Sequence, residues 1–203
     1  MERVIAYVDG FNLYFGLRSK GWYRYYWLDI RLLAQNLMKP NQRLVLTKYF
    51  TARISGPPDK EERQSTYIEA LETLSDFEIF YGKYQLNPRQ CPRCGLQDEV
   101  PNEKMTDVNI AVEILKDAYQ DRFDVALLIS ADADLVPPVK TVRELFRQKR
   151  VVIACPPGRY SITLADSANE SFIIGRAKIA KSLLPEEIHK PDGYVLRRPP
   201  LWR

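Results

Sequence analysis

Short apolar runs alternate along this chain with stretches of helical periodicity. The clearest run is Val125 to Ile129, five apolar residues in a row, which predicts a strand buried on both faces. Comparable runs predict further strands at Arg3 to Val8, Arg43 to Ile54, Phe77 to Tyr81, Val151 to Ala154 and Phe172 to Ile174.

Helical patterns fill the intervals between these runs. Asp29 is a suitable cap for a helix that Pro40 stops, and Pro137-Pro138 suit only the first turn of a later helix. In the helix predicted from Met105 to Tyr119, four apolar residues share the expected core face: Val108, Ala111, Val112 and Leu115. Strands and helices that alternate in this way predict an α/β fold with a doubly wound, mainly parallel sheet.

Composition narrows the class of protein. The chain has 203 residues, 45% of them hydrophobic, which is enough for one sizeable core. Its apolar runs stay short of the ~20 residues that a membrane span needs, and its first residues lack signal-peptide anatomy, so we expect a cytoplasmic protein without a membrane partner. The net charge of +4 is compatible with a polyanionic partner.

Two segments break the alternation. Residues 82–102 contain Cys91-Pro-Arg-Cys94-Gly95, and we predict a hairpin insertion that carries this CxxC motif. The motif resembles one knuckle of a zinc ribbon, and a structural Zn²⁺ needs four ligands. Cys155 and His189 are the remaining candidates in the chain, and a second knuckle from a homodimer partner is another source; a reduced, metal-free hairpin is the alternative. The Pro- and Arg-rich residues 185–203 are predicted to form an extended or mobile tail.

Carboxylates follow two of the predicted strands. Asp9 ends the first strand, and Asp132 and Asp134 follow Val125 to Ile129, while Asp107 lies in the first turn of a helix. Ligands bind at the carboxyl ends of strands in open α/β sheets. Clustered carboxylates repel one another unless they are protonated or hold a cation, and a set of carboxylates and an amide suits Mg²⁺ or Mn²⁺. An acidic sheet edge without metal is the alternative interpretation.

Three segments, in this order, resemble the signatures of the NYN domain, a family of the PIN-like nuclease superfamily. They are Val8-Asp-Gly-Phe-Asn12, Lys104-Met-Thr-Asp-Val108 and Ser130-Ala-Asp-Ala-Asp-Leu135. The similarity covers nearly the whole of residues 1–184. Ala131 and Ala133 stand where the family more commonly has Gly, which would matter if the backbone there needed a positive φ.

The resemblance implies a PIN-like three-layer α/β/α sandwich and a metal-dependent ribonuclease acting on RNA. It implies that Asp9, Asp107 and Asp132 are metal ligands and that Asp134 is a ligand or holds a metal-bound water. Asn12 would orient the water or a phosphate, and Ser130 would bond to the scissile strand or to Asp9.

Basic and aromatic residues offer contacts for a nucleic acid. Lys104 is close in sequence to Asp107, and Arg53 ends the second strand, so both are candidates to meet a phosphate. The aromatic segment Trp22 to Trp27 suits either base stacking or packing, and we favour packing. Two other functions stay open: a catalytically weak RNA-binding or regulatory module, and a small-molecule phosphatase.

Overall fold

A computed structural model describes residues 1–90, 94–95 and 97–203 of the chain. Its strands are β1 Glu2–Asp9, β2 Gln42–Thr51, β3 Phe77–Tyr81, β4 Lys83–Gln90, β5 Gln97–Lys104, β6 Val125–Ile129, β7 Arg150–Cys155, β8 Glu170–Ile173, β9 Glu187–His189 and β10 Val195–Arg197. Six of them form one parallel sheet in the order β3-β2-β1-β6-β7-β8. The chain order therefore reverses between β1 and β6, which places the carboxyl ends of these two strands side by side.

The helices cover both faces of this sheet. They are α1 Gly10–Ser19, α2 Ile30–Leu37, α3 Pro58–Glu72, α4 Thr106–Tyr119, α5 Val136–Leu145, α6 Ile162–Ser167 and α7 Arg176–Ala180. As predicted, Asp29 caps α2, its Oδ1 accepting a hydrogen bond from the Leu32 N–H at 2.7 Å. The first turn of α5 contains Pro137 and Pro138, where proline costs the helix no hydrogen bond.

Side chains of β1 alternate between two hydrophobic clusters. Val4, Ala6 and Val8 pack into the cluster that includes residues of α1, α2, α3 and α7, whereas Ile5 and Tyr7 pack into the one beneath α4, α5 and α6. Both faces of the sheet are thus covered by helices. The prediction of an α/β sandwich around a mainly parallel sheet is confirmed, and the arrangement is consistent with a PIN-like fold.

The predicted core face of α4 is wrong for Val108 and Val112. Val108 and Val112 are 61% and 55% exposed, while Ile110, Ile114 and Ala118 are buried. Two acidic residues, Glu113 and Asp117, occupy the buried face with them. Leu115 still packs against the core, so the buried face of α4 is displaced toward Ile110, Ile114 and Ala118 and carries charges beside them.

A buried lysine explains those charges. Lys48 on β2 is fully buried, and its Nζ lies 2.6 Å from Glu113 Oε2 and 2.6 Å from Asp117 Oδ2. The Tyr7 hydroxyl donates a hydrogen bond to Asp117 at 2.7 Å, and Arg122 pairs with the same carboxylate at 3.0 Å. Buried charges persist only when they are paired, so this network ties α4 to β1 and β2.

β4 and β5 pair antiparallel and form a separate two-stranded sheet. Cys91 falls outside the described residues, and Cys94 is an exposed free thiol. Cys155, the other thiol described, is buried in the core at the end of β7. The structure therefore leaves the zinc prediction as a prediction.

Residues 185–203 do not form the extended tail that was expected. β9 and β10 pair antiparallel, Leu196 and Arg198 are buried, and Trp202 packs against the core. The indole N–H of Trp27 donates to the Pro185 carbonyl at 2.7 Å, which fixes the start of the segment. Its prolines and arginines suggested a solvated segment, but apolar residues of distant elements bind it.

Within the described ranges, none of the helices combines the length and the apolar character needed to cross a bilayer.

Candidate active site

Asp9 lies where β1 passes into α1 and is 5% exposed. Its Oδ1 accepts a hydrogen bond from the Asn12 N–H at 2.9 Å, so Asp9 is also the N-cap of α1. Its Oδ2 accepts a hydrogen bond from the Ser130 hydroxyl at 2.9 Å. Because β1 and β6 are parallel neighbours, the residue after β6 reaches the residue that ends β1.

Gly10, the first residue of α1, allows a close approach to β2. A Cβ at this position would lie 2.6 Å from Tyr49 Oη and 2.8 Å from the Phe50 carbonyl oxygen. Gly10 is not among the residues with positive φ, so its role is close packing rather than an unusual backbone conformation.

Hydrogen bonds also hold the loop that follows β6. The Asn12 side chain accepts from the Ala131 N–H at 3.1 Å, and Ser130 Oγ accepts from the Asp132 N–H at 3.1 Å. Asp132 Oδ1 accepts from the Asp134 N–H at 3.1 Å. Ala131 and Ala133 are absent from the residues with positive φ, so the departure from the common family pattern does not strain this loop.

The third carboxylate arrives from α4. Glu103 Oε1 accepts a hydrogen bond from the Thr106 N–H at 3.0 Å and another from the Thr106 hydroxyl, which anchors the start of the helix. Met105 precedes α4 with a φ of 78°, an uncommon left-handed conformation for a non-glycine residue. Asp107 follows in the first turn.

Asp9, Asp107 and Asp132 converge. Each offers one carboxylate oxygen, and these oxygens lie within 4.8 Å of one another. In the described part of the chain, none of the three forms an ion pair with Lys or Arg. The cluster thus concentrates uncompensated negative charge at the switch point of the sheet.

The pKa values of this region reflect that concentration. Burial raises the pKa of Asp9 to about 7; hydrogen bonds from Asn12 and Ser130 oppose the rise, and the charges of Asp107 and Asp132 add to it. Burial, followed by the charges of neighbouring carboxylates, also raises the pKa values of Asp107 and Glu103. A bound cation would relieve all of these unfavourable interactions.

Three predicted site residues lie outside the converging group. The Asp134 side chain is exposed and does not belong to the cluster, although its N–H fixes Asp132. The Arg53 guanidinium lies 5.2 Å from the centre of the Tyr81 ring, and Lys104 is exposed at the end of β5. Their roles toward a substrate stay predictions, as do those of Asn12 and Ser130.

A cavity of about 900 Å³ adjoins the carboxylates and continues between aromatic side chains. One part of the cavity is lined by Asp9, Asp107 and Asp132. The other part includes aromatic side chains of α1, of the Trp22 to Trp27 segment and of the C-terminus. Trp27, Tyr25 and Tyr26 are largely buried, which supports packing as the main role of that segment.

Sequence reasoning missed Glu103 and Trp202 as lining residues of the cavity. Glu103 directly follows the predicted insertion and belongs to none of the signature segments, and no sequence signal links Trp202 to residues near position 26.

Comparison with known families agrees with this geometry. A model of the NYN domain matches residues 3–176. The chain belongs to the NYN domain family. Membership indicates a PIN-like nuclease, and the acidic cluster lies on the three signature segments of this NYN domain.

Individual relatives add context. This chain is 29% identical over 178 residues to 6-hydroxy-3-succinoylpyridine 3-monooxygenase HspA of Pseudomonas putida. The alignment covers 70% of this chain and 55% of that protein. The chain therefore spans about half the length of this curated relative. A crystal structure of a protein of unknown function from Vibrio parahaemolyticus superposes with a TM-score of 0.59 at 22% identity, over 90% of this chain and 96% of the other. This second likeness supports the fold.

Proposed function

We propose that this NYN domain is a metal-dependent ribonuclease that hydrolyses phosphodiester bonds of RNA with Mg²⁺ or Mn²⁺. The observation that carries the proposal is the convergence of Asp9, Asp107 and Asp132 at the carboxyl ends of β1 and β6. Membership in a family of PIN-like nucleases supports it.

The donor set suits a hard divalent cation. Three carboxylates with no paired Lys or Arg among the described residues match the oxygen ligands of Mg²⁺ and Mn²⁺. Asp9, Asp107 and Asp132 would hold the ion. When bound, such an ion supplies Lewis-acid activation of water and neutralises charge on the phosphate.

The other predicted residues would orient the reacting groups. Ser130 and the Asn12 N–H hold the two oxygens of Asp9 in place. The Asn12 Oδ1 is engaged by Ala131, and its Nδ2 makes no hydrogen bond within the described residues, which leaves a donor for a phosphate oxygen. We assign Asp134 to a water near the cluster and Lys104 and Arg53 to the charge of the RNA strand.

Asp132→Asn tests this function most directly. The substitution keeps the acceptor for the Asp134 N–H but removes one negative charge from the cluster. Labelled single-stranded and hairpin RNA would be incubated with Mn²⁺, Mg²⁺ or EDTA. We expect metal-dependent cleavage by the wild type and a loss of about 100-fold or more in the variant, since electrostatic stabilisation of this kind supplies that much of a rate.

Asp166→Asn is the matched control, because Asp166 is exposed and lies outside the cavity lining. Its cleavage rate should equal that of the wild type. Equal rates for Asp132→Asn and the wild type would contradict the proposal. RNA binding in EDTA by a protein that cleaves with neither Mn²⁺ nor Mg²⁺ would favour the regulatory module, and turnover of a simple phosphomonoester would favour the phosphatase.

The aromatic cavity favours a second candidate, an enzyme that acts on a small heteroaromatic molecule. The relative from Pseudomonas putida is named for a pyridine substrate, and a cavity of about 900 Å³ is large enough for such a ring. Ring hydroxylation requires O₂ and a reductant, commonly through a cofactor. This chain has one His, so it cannot form a two-His iron site alone. Consumption of 6-hydroxy-3-succinoylpyridine with NADH, followed by absorbance, would favour this candidate.

The cysteine pair stays part of the proposal as a structural site. Cys91 and Cys94 would supply one knuckle, and a homodimer partner would complete four ligands. Zinc analysis of the purified protein beside a Cys94→Ser variant, with the molar mass of each measured by light scattering, tests both predictions together.

A further inference from the structure

The cavity beside the acidic cluster has two chemically different parts. Its acidic part contains the three converging carboxylates. The remainder combines aromatic rings with aliphatic and basic side chains; its rings include those of helix α1, of the segment around Tyr26 and of Trp202 near the C-terminus. We refer to this remainder as the aromatic chamber.

Tyr26 is the centre of the chamber wall. Its ring centroid lies 5.0 Å from that of Tyr14, 5.7 Å from that of Tyr23 and 5.8 Å from that of Trp202. Tyr14 and Tyr23 are 39% and 55% exposed, so these two rings present apolar surface at the chamber. Exposed aromatic faces beside a cavity are suited to stacking on a planar ring.

Tyr26 also carries an unsatisfied polar group. The side chain is 9% exposed, and its hydroxyl has no hydrogen-bond partner among the described residues. An unpaired buried hydroxyl is costly, and such groups in native proteins require an explanation. Because the Tyr26 hydroxyl is itself inaccessible from the cavity, Tyr26 contributes its ring to the chamber wall, and the accessible stacking surfaces are those of Tyr14 and Tyr23.

The charges around the chamber suit an anionic ligand. Arg18, Lys60 and Arg159 line the cavity, and none of them forms an ion pair with the part of the chain that the structure describes. These basic side chains and the carboxylate cluster line the same cavity. One phosphate of a bound strand can therefore lie at the metal site while other phosphates contact the basic side chains. A single-stranded RNA has this combination of phosphates and planar rings.

We propose that the aromatic chamber binds a nucleobase of single-stranded RNA close to the scissile phosphate, with Tyr14 and Tyr23 as stacking residues. The inference rests on the proposed ribonuclease function and names the part of its substrate that the cavity selects. A base that stacks here requires an unpaired strand, because a base inside a duplex has no free face. The chamber thus selects single-stranded over double-stranded RNA.

The test measures binding rather than cleavage. Anisotropy of a labelled RNA hexamer in EDTA would compare the full chain with Tyr14→Leu/Tyr23→Leu and with Tyr14→Phe/Tyr23→Phe. We expect the Leu pair to weaken binding about tenfold or more and the Phe pair to change it by less than about twofold, since Phe keeps the stacking face. Tyr119→Leu, which alters an exposed ring on α4 outside the cavity, should leave binding unchanged.

Abasic RNA makes the test specific to a base. A series of hexamers would each carry a single abasic site, at a different position in each hexamer. At one of these positions the missing base should weaken binding to the wild type about tenfold. The same abasic site should cost the Leu pair almost nothing, because the stacking has already been lost. An abasic penalty equal in both proteins, or equal affinities of the Leu and Phe pairs, would overturn the inference.

Parallel cleavage assays keep the two proposals apart. Metal-dependent cleavage with no effect of the Leu pair on affinity would leave the ribonuclease standing and overturn the chamber as a base site. A selective loss of affinity in the Leu pair, without cleavage by any form, would support the base site and remove the ribonuclease.

Discussion

Gly10 shows how one residue without a side chain shapes the site. Its backbone packs against Tyr49 and Phe50 of β2, directly after Asp9. A bulkier residue would push the start of α1 away from β2 and would shift the N–H groups that hold Asp9. The family signature therefore contains a glycine for a packing reason.

Gly10→Ala should lower the free energy of unfolding by about 2 kcal/mol, because overpacking a filled site typically costs ~1–3 kcal/mol. Urea denaturation followed by circular dichroism measures the change. Gly56→Ala is the control, since nothing lies within 4 Å of a Cβ at that position. Equal effects of the two substitutions would contradict the packing explanation.

The raised pKa of Asp9 predicts a pH-dependent stability of the metal-free protein. The folded chain holds the Asp9 proton up to a pKa of about 7, against 3.8 for an ordinary aspartate. The stabilisation from this protonation is complete below pH 3.8 and is lost as the pH rises through about 7.

In EDTA at pH 8, Asp9→Asn should therefore raise the free energy of unfolding by about 2–4 kcal/mol relative to the wild type. At pH 4.5 most of this difference should vanish, because the wild-type carboxyl is then protonated in the folded state. Urea denaturation at both pH values measures it, with Asp166→Asn as the control. A gain of the same size at both pH values would show that charge is not its cause.

At the scale of elements, α4 connects the buried lysine network to the acidic cluster. Glu113 and Asp117 bind Lys48 on β2, and Asp107 lies in the first turn of the same helix. The network therefore sets where α4 lies against the sheet and so where Asp107 lies. Its charges share the buried face of α4 with Ile110, Ile114 and Ala118.

Lys48→Met should lower the free energy of unfolding by about 3–5 kcal/mol, because it leaves buried carboxylates without their partner. Lys116→Met is the matched control, since exposed Lys116 pairs with Glu113 at 3.0 Å and should cost less than about 1 kcal/mol. Chemical denaturation compares the two variants. A small effect of Lys48→Met would mean that α4 is held mainly by its apolar contacts.

At the scale of the whole molecule, the C-terminal residues belong to the same packed unit as the sheet. Trp202 contacts Tyr26, Trp27 and Tyr67, with ring centroids 5.8, 6.4 and 6.0 Å away. Arg198 pairs with Glu186 at 2.6 Å and donates to the carbonyls of Arg24 and Trp202. The end of the chain thus forms one wall of the cavity that begins at the acidic cluster.

Trp202→Ala should lower the free energy of unfolding by about 2 kcal/mol, less than for a fully buried Trp because the ring is half-buried. Leu201→Ala, at a 69% exposed neighbour, should change it by less than about 0.5 kcal/mol. Thermal and urea denaturation would measure both. Equal stability of Trp202→Ala and the wild type would mean that the C-terminal segment does not stabilise the domain.

The sequence by itself determined the six strands of the main sheet, most helices and the three acidic segments. These features depend on short-range interactions along the chain. A continuous apolar run forms a buried strand, and residues such as Asp29 and Pro137 mark the start of a helix through their own hydrogen bonding and backbone geometry. The carboxyl ends of parallel strands share one edge of a sheet, so the order of the elements is enough to predict that Asp9 and Asp132 meet, whereas the position of Asp107 depends on how α4 packs.

Only the tertiary structure decided which face of α4 is buried, where residues 185–203 pack and what adjoins the carboxylates. The α4 face depends on Lys48, which is 65 residues from Glu113 along the chain, and the chamber wall joins Tyr26 to Trp202. Contacts between residues so far apart leave no periodic signal in either segment. Their energies depend on burial and pairing, which exist only once the chain has folded.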